Sequence, residues 1–322
     1  MGFIQAGHEI AWAIEHDKHA CATYERNIGD VVRADVRDID FAQLSEIDCL
    51  IGGPPCQPFS VAGKGLGEAD VRDCVPEFVR CLSEARPAWF VMENVSGLEN
   101  KTNWPYLRDV LMRMRGLGYV VEYRILNAAD FGVPQIRRRL FVVGTTTDNP
   151  IRWPESTHTD PARAANVFLF GGEPMKPWVT VRQALGWPFD FPSPAVVALV
   201  VKSKRARSEA SIDQPSVTIA ADGREAIALR IRNESAQHGL GADLDEPSIT
   251  IRGKGPMLEP EGTKSKSVAK AIRRLTPREC AILQSFPPDY CWMGTKTAVY
   301  RQIGNAVPPL LAKAIAEIER SV

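Results

Sequence analysis

The chain has 322 residues, 44% hydrophobic and 24% charged, with 39 basic and 39 acidic side chains that leave a formal net charge of zero. That length buries a full core and leaves room for one large domain and a smaller one, while the zero balance argues against a protein that coats nucleic acid indiscriminately. No run approaches the roughly 18 consecutive apolar residues of a membrane span and the start lacks a secretory pattern, so a soluble, cytoplasmic protein with no membrane partner is expected.

From residue 1 to about residue 145, short apolar β-rich runs alternate with amphipathic stretches. Strands are predicted at Ala11 to Ile14, Val31 to Val32, Cys49 to Ile51, Trp89 to Met92 and Leu140 to Val143. Helices are predicted at Asp17 to Ile28, Val75 to Ala85 and Trp104 to Leu117, with Pro87 closing the second before the next strand. The rhythm is that of an α/β doubly wound sheet. Tyr119 to Leu126 lies close before the last strand, which suggests an antiparallel edge pair.

Beyond about residue 150 the texture shifts to Pro, Gly, Ser and Thr with β-like segments, and a second domain is placed there. Gln214 to Ile219 and Glu246 to Ile251 are near copies that suggest two similar strands, and residues 200–275 carry an excess of basic side chains that suits phosphate contacts or a solvated surface equally. Thr276-Pro-Arg-Glu279 reads as a capping box opening a helix through Ala281 to Ser285, and Gly304 to Pro309 leads into a final helix, Leu310 to Arg320. The seven cysteines are scattered without a C-x-x-C pair, and His16 and His19 have no accompanying carboxylate cluster, so neither disulfide nor metal is expected.

The strongest local pattern is Gly52-Gly-Pro-Pro-Cys-Gln-Pro-Phe-Ser60, which starts where an apolar strand ends. That places it on the carboxyl edge of the sheet, where open α/β folds bind ligands. Cysteines are more often buried and inert, but prolines on both sides stiffen the approach to Cys56 and favour a nucleophile. Glu93-Asn94-Val95 ends the next strand on the same edge; Glu93 is a candidate acid or base, or equally a loop-capping carboxylate. In Gln135-Ile-Arg-Arg-Arg139 the alternation of an extended chain puts Gln135, Arg137 and Arg139 on one face, able to donate paired hydrogen bonds, although such a run is often only a solvated segment. Together these groups suit attack on a pyrimidine. A Cys56 thiolate would add to carbon 6 of cytosine, Glu93 would stabilise ring nitrogen 3, Arg139 would hold the oxygen at position 2, and the guanidinium groups are expected to lower the thiol pKa.

The motifs G-P-P-C-Q-P-F-S, E-N-V, Q-x-R-x-R followed by Leu-Phe-Val-Val-Gly, R-L-T-P-R-E-C-A-x-L-Q-S-F-P and Y-x-Q-I-G-N-A-V-P-P occur in one order along nearly the whole chain. They resemble the DNA cytosine-5 methyltransferases. The resemblance implies an S-adenosyl-L-methionine-dependent, Rossmann-like sheet with an antiparallel edge strand (1–160 and 296–322) and a smaller, irregular β-rich target-recognition domain (161–295). It implies Cys56, Glu93, Arg137 and Arg139 as catalytic. Glu15, His16, Asp35, Val36, Pro55, Asn305, Ala306 and Val307 would hold the cofactor, which leaves as S-adenosylhomocysteine. Gln57, Ser60, Asn94 and Gln135 would meet the substrate, and Gly63 to Gly67 would form a mobile loop over it. The implied partner is double-stranded DNA with a cytosine flipped from the stack, a cognate restriction endonuclease being a functional rather than physical companion, and the implied state a monomer.

The sequence departs from the family at its start. The strand and F-x-G-x-G turn that cradle the cofactor are absent, and Met1 to Gly7 resembles the helix just downstream. A truncated start, a silent DNA-binding remnant and half of a split enzyme are the readings this leaves. A tRNA cytosine methyltransferase is a third class of reading, and a cysteine hydrolase lacks a histidine partner for Cys56.

Overall fold

The computed structural model describes residues 1–44, 47–56, 73–161, 175–186, 195–202, 207–211, 215–217, 227–233 and 273–318. Its elements begin with α1 (Gly2–Gln5), β1 (Ile14–Glu15), α2 (Lys18–Asn27), β2 (Val32–Arg33), β3 (Cys49–Gly52), α3 (Val75–Ala85), β4 (Trp89–Val95), α4 (Trp104–Gly116) and β5 (Val120–Asn127). There follow β6 (Gln135–Ile136), β7 (Arg138–Thr145), β8 (His158–Thr159), β9 (Lys176–Pro177), α5 (Val181–Leu185), β10 (Ala195–Lys202), β11 (Arg207–Ser211), β12 (Ser216–Val217), β13 (Ile227–Asn233) and β14 (Arg273–Arg274). Three helices close the described chain: α6 (Pro277–Leu283), α7 (Lys296–Asn305) and α8 (Pro309–Ala316).

A mixed four-stranded sheet in the order β3-β4-β7-β5 forms the centre, with β3 and β4 parallel and β7 antiparallel to both β4 and β5. Period-two alternation divides its two inner strands between two cores. Phe90, Met92, Leu140 and Val142 pack into one cluster with α3 and α4, while Trp89, Val91, Phe141 and Val143 pack into another with Phe3 of α1 and Leu311 and Ile315 of α8. Both faces are thereby covered by helices, which explains why β4 and β7 read as unbroken apolar runs. Burying Phe90 or Met92, each fully enclosed, contributes about 1.5–3 kcal/mol. On the second face, α1 lies so close to α8 that a Cβ on Gly2 would meet the Pro309 carbonyl at 2.6 Å and the Lys313 nitrogen at 2.7 Å. Only glycine permits that approach.

Strands β1 and β2 form a separate parallel pair. Among the described residues no strand pairs with the outer edge of β3, where Ile51 is 43% exposed. The two groups of strands nonetheless share a small cluster in which Trp12, Val36 and Leu50 pack around Phe41, Cys81 and Ala85.

The second region shows β10 between β11 and β13, with β14 outside β13, all antiparallel, and β12 runs parallel to β6. The near-copy segments at 214–219 and 246–251 lie outside the described residues except for the part forming β12. Helices α5, α6 and α7 share a third cluster through Val181, Cys280, Leu283, Val299 and Ile303, which draws on residues either side of position 295. Helix α6 starts with the capping box anticipated at Thr276 and Glu279. Helix α7 is absent from the sequence reading, which took its end, Gly304-Asn305, for the loop before the last helix. It starts on the Thr295 hydroxyl, which accepts from the Ala298 nitrogen, and its apolar positions fall on one face against α6.

Candidate active site

Strands β3 and β4 end side by side, so the run from Gly53 to Cys56 and the end of β4 meet on one edge. Asn94 fixes the junction: it is 4% exposed, and its amide donates to the Pro54 carbonyl at 3.2 Å. A Cβ on Gly53 would meet Glu93 Oε2 at 3.2 Å. The glycine therefore lets the Glu93 carboxyl stand at the head of the Cys56 run.

Arg139 faces Val95 across the β4–β7 ladder. Because Glu93 sits two residues before Val95, it is the diagonal neighbour of Arg139 on the same face, and the guanidinium Nε lies 3.1 Å from Glu93 Oε1. Burial alternates along Gln135 to Arg139: Gln135 is fully enclosed, Arg137 is 1% exposed, and Ile136 and Arg138 are more open. Burial drives the Glu93 carboxyl above its ordinary range, with Arg139 and Arg137 pulling the other way. Burial likewise lowers both guanidinium groups, Arg137 to about 9 with repulsion from Arg139 adding to it. Among the described residues, Nε and Nη1 of Arg137 and both amide atoms of Gln135 have no hydrogen-bond partner. Buried polar atoms left unspent are costly in a folded protein, and these suit a bound polar group, a water or an ion.

Cys56 differs from its sequence-based picture. Its thiol is 6% exposed and packs among the residues of the first core, and burial, with the charge of Asp73 adding to it, pushes it up to about 12. The expectation that arginines would lower it is corrected: the Arg139 guanidinium is engaged with Glu93, and among the described residues the charge that acts on the thiol is the anion of Asp73. Pro55 is exposed, and its carbonyl accepts from the Cys74 nitrogen at 3.0 Å. Gln57, Ser60 and Gly63 to Gly67 lie outside the described residues.

Of the groups expected to hold a cofactor, Glu15, His16, Asp35 and Val36 lie at the ends of β1 and β2. Glu15 Oε1 accepts the His16 and Asp17 nitrogens at 2.8 and 2.9 Å, and the His16 ring lies 3.2 Å from the same oxygen. Asp35 accepts the Arg37 nitrogen and pairs with the Arg37 side chain, each at 3.0 Å, and this holds its carboxyl below the usual range. Val36 follows in the same 3-10 turn. Arg301 on α7 pairs with Asp17, which ties the helix carrying Asn305 to this end of β1. Gln284, fully buried, donates to the carbonyls of Ile303 and Ala306, each at 2.9 Å, and Val307 packs on the second core. A carboxylate at a strand end, with Oε2 unengaged among the described residues, suits a ribose diol. These residues fit an adenosine-bearing cofactor.

Sequence reasoning missed Asp73, Gly53, Asp17 and Gln284. The only trace of Asp73 was its place two residues before a helix start, since its Oδ1 accepts the Val75 nitrogen at 3.0 Å. Among the described residues no helix is long and apolar enough to cross a membrane, and no group of His, Cys, Asp and Glu is placed to hold a metal.

Residues 1–319 match the model of the C-5 cytosine-specific DNA methylase family, and the chain belongs to that family. It is 33% identical over 334 residues to the type II methyltransferase M1.HphI of Haemophilus parahaemolyticus, covering 98% of this chain and 82% of that protein. It is 35% identical over 321 residues to M.AplI of Arthrospira platensis, covering 98% and 81%. In fold it is similar to the Dnmt2 methyltransferase of S. pombe, with a TM-score of 0.59 at 18% identity over 99% of this chain and 94% of that one. A Spodoptera frugiperda DNMT2 variant gives a TM-score of 0.62 at 17% identity over 98% and 94%.

Proposed function

We propose that this chain transfers a methyl group to carbon 5 of a cytosine flipped out of duplex DNA, through a transient bond between Cys56 and carbon 6. The observation that carries the reading is the Glu93 carboxyl, buried, raised in pKa, paired with Arg139 and set against Gly53 at the head of the Cys56 run. A carboxyl kept protonated can donate to ring nitrogen 3, which gains negative charge when sulfur adds to carbon 6. Arg139 and the unspent donors of Arg137 suit the oxygen at position 2 and the neighbouring phosphate. Addition turns carbon 5 into a nucleophile. S-adenosyl-L-methionine, when bound, supplies an electrophilic methyl group on a sulfonium that leaves as a neutral thioether. Glu15, His16, Asp35, Val36, Pro55 and Asn305 to Val307 would hold it, while Asn94 steadies the Cys56 loop.

The finer architecture belongs to the same reading: a Rossmann-like catalytic body of residues 1–160 and 296–322, and a target-recognition region, 161–295, that reads neighbouring base pairs. Gln57, Ser60 and Gln135 would line the DNA side. The family description, a DNA methylase, favours DNA, and the type II designation of the relatives suits a role beside a restriction endonuclease, for a monomer acting in the cytoplasm. The test is transfer of labelled methyl to mixed-sequence duplex DNA against tRNA: incorporation into DNA that Cys56→Ala abolishes is expected, and incorporation into tRNA alone overturns the choice of substrate. That no strand among the described residues pairs with the outer edge of β3 favours a second reading, in which the chain is one half of a split enzyme; transfer by this chain alone would remove it.

A further inference from the structure

Among the described residues Cys56 is buried and faces Asp73 rather than an arginine. The two residues form an isolated antiparallel bridge, so their side chains leave the backbone on one side with Cβ atoms roughly 4.5–5.5 Å apart. Backbone bonding continues the contact, since the Cys74 nitrogen donates to the Pro55 carbonyl at 3.0 Å. Asp73 is itself held from two directions: Oδ1 accepts the Val75 nitrogen at 3.0 Å and Oδ2 accepts the Tyr106 hydroxyl. A carboxylate has about four acceptor positions, so each oxygen keeps one to spare.

From this geometry we infer that Asp73 is the acceptor of the Cys56 thiol proton. The inference rests on the methyl-transfer reading and adds to it the missing base. A buried thiol opposed by an anion is held as S–H and adds to nothing, and the opposition disappears if the anion itself takes the proton. In the step, the S–H bond breaks, its proton forms an O–H bond on Asp73, and the sulfur pair forms the bond to cytosine carbon 6. The displaced ring pair moves to nitrogen 3, where Glu93 supplies a proton. After carbon 5 has taken the methyl group, its C–H bond breaks with the proton going to water, and that pair forms the C5=C6 double bond as the C6–S bond breaks with its pair on sulfur. Asp73 returns its proton to the sulfur, and nitrogen 3 gives its proton back to Glu93. Among the described residues, the charged and titratable groups around this pair are Cys74 and Tyr106, with Asp35, Arg37 and Glu77 facing Cys74.

Asp73→Asn tests the claim, because the asparagine oxygen still accepts the helix nitrogen, its amide nitrogen can donate to the Tyr106 oxygen, and the basicity of the carboxylate is lost. In the full-length protein with duplex DNA and labelled methyl donor, kcat should fall about 100-fold or more with KM nearly unchanged. Alkylation of Cys56 without DNA should meanwhile speed up, since the opposing charge is gone. Transfer by Asp73→Asn at or above the parent rate at neutral pH overturns the inference; that is the result if Asp73 only opposes the thiolate or only steadies the start of α3. Should this variant fail to fold, Asp73→Ser serves instead, since its hydroxyl can still accept the Val75 nitrogen: kcat should fall by a similar factor and added formate should restore part of it, and transfer at or above the parent rate overturns the inference. A folded parent protein without any transfer removes the methyl-transfer reading and the inference with it, whereas an active parent with an unaffected Asp73→Asn removes the inference alone.

Discussion

The carboxyl edge of the fold carries two charged clusters built in opposite ways. Around Glu93, Arg137 and Arg139 the charges are enclosed, their pKa values displaced, and several donors unspent. Around Glu15, His16 and Asp35 the side chains reach solvent, His16 being 81% exposed, and their oxygens bind nitrogens one or two residues away. Exposed pairs are screened and contribute little, whereas enclosed ones are costly unless something binds them. On the proposed reading the first cluster would serve chemistry and the second recognition, and each substitution below should show which.

Cys56→Ala should produce the largest effect, a loss of methyl transfer on the order of 10⁴-fold or more, with far-ultraviolet circular dichroism unchanged. Glu93→Gln follows, with a fall of about 10²–10³-fold in kcat. Because the Glu93 carboxyl is raised and acts while protonated, parent activity should decline as pH rises through that raised value, and the variant's profile should lose this alkaline limb. On the exposed side, Glu15→Gln should weaken cofactor binding about 10-fold with kcat largely kept, as read by calorimetry. An equal fall in kcat would erase the distinction between the clusters.

Arg137→Met tests the enclosed cluster from the side of stability. The lowered pKa of Arg137 means that its charged form costs free energy at neutral pH, so an apolar replacement should stabilise by about 1–3 kcal/mol while activity falls. A drop in the midpoint of chemical denaturation would show that the charge is already satisfied. The smallest effect is expected for Thr276→Ala, which removes the capping box of α6 and should cost about 1 kcal/mol without touching either cluster.

What the sequence disclosed follows the same division. Helix α3 ends where amphipathic spacing and Pro87 put it, and β4 and β7 announce themselves because a strand covered on both faces must be apolar throughout. The side-by-side placement of Glu93 and the Cys56 run followed from two strand ends, and the enclosed face of Gln135, Arg137 and Arg139 followed from alternation alone. The burial of Cys56 was illegible, because it depends on a bridge to a residue 17 positions away that no local pattern signals. Helix α7 was hidden by a Gly-Asn pair that reads as a turn but sits at a helix end secured by Gln284, a tertiary contact.

The most direct test of the account is a trapped intermediate. Mixed-sequence duplex DNA in which every cytosine carries fluorine at carbon 5 is incubated with the protein and S-adenosyl-L-methionine. Fluorine, unlike hydrogen, has no route out as a cation, so the sulfur–carbon bond cannot be released after methyl transfer. The account requires a protein–DNA adduct whose modified peptide contains Cys56 and which also carries the methyl group; its absence under conditions where ordinary cytosine is methylated would contradict the Cys56 mechanism.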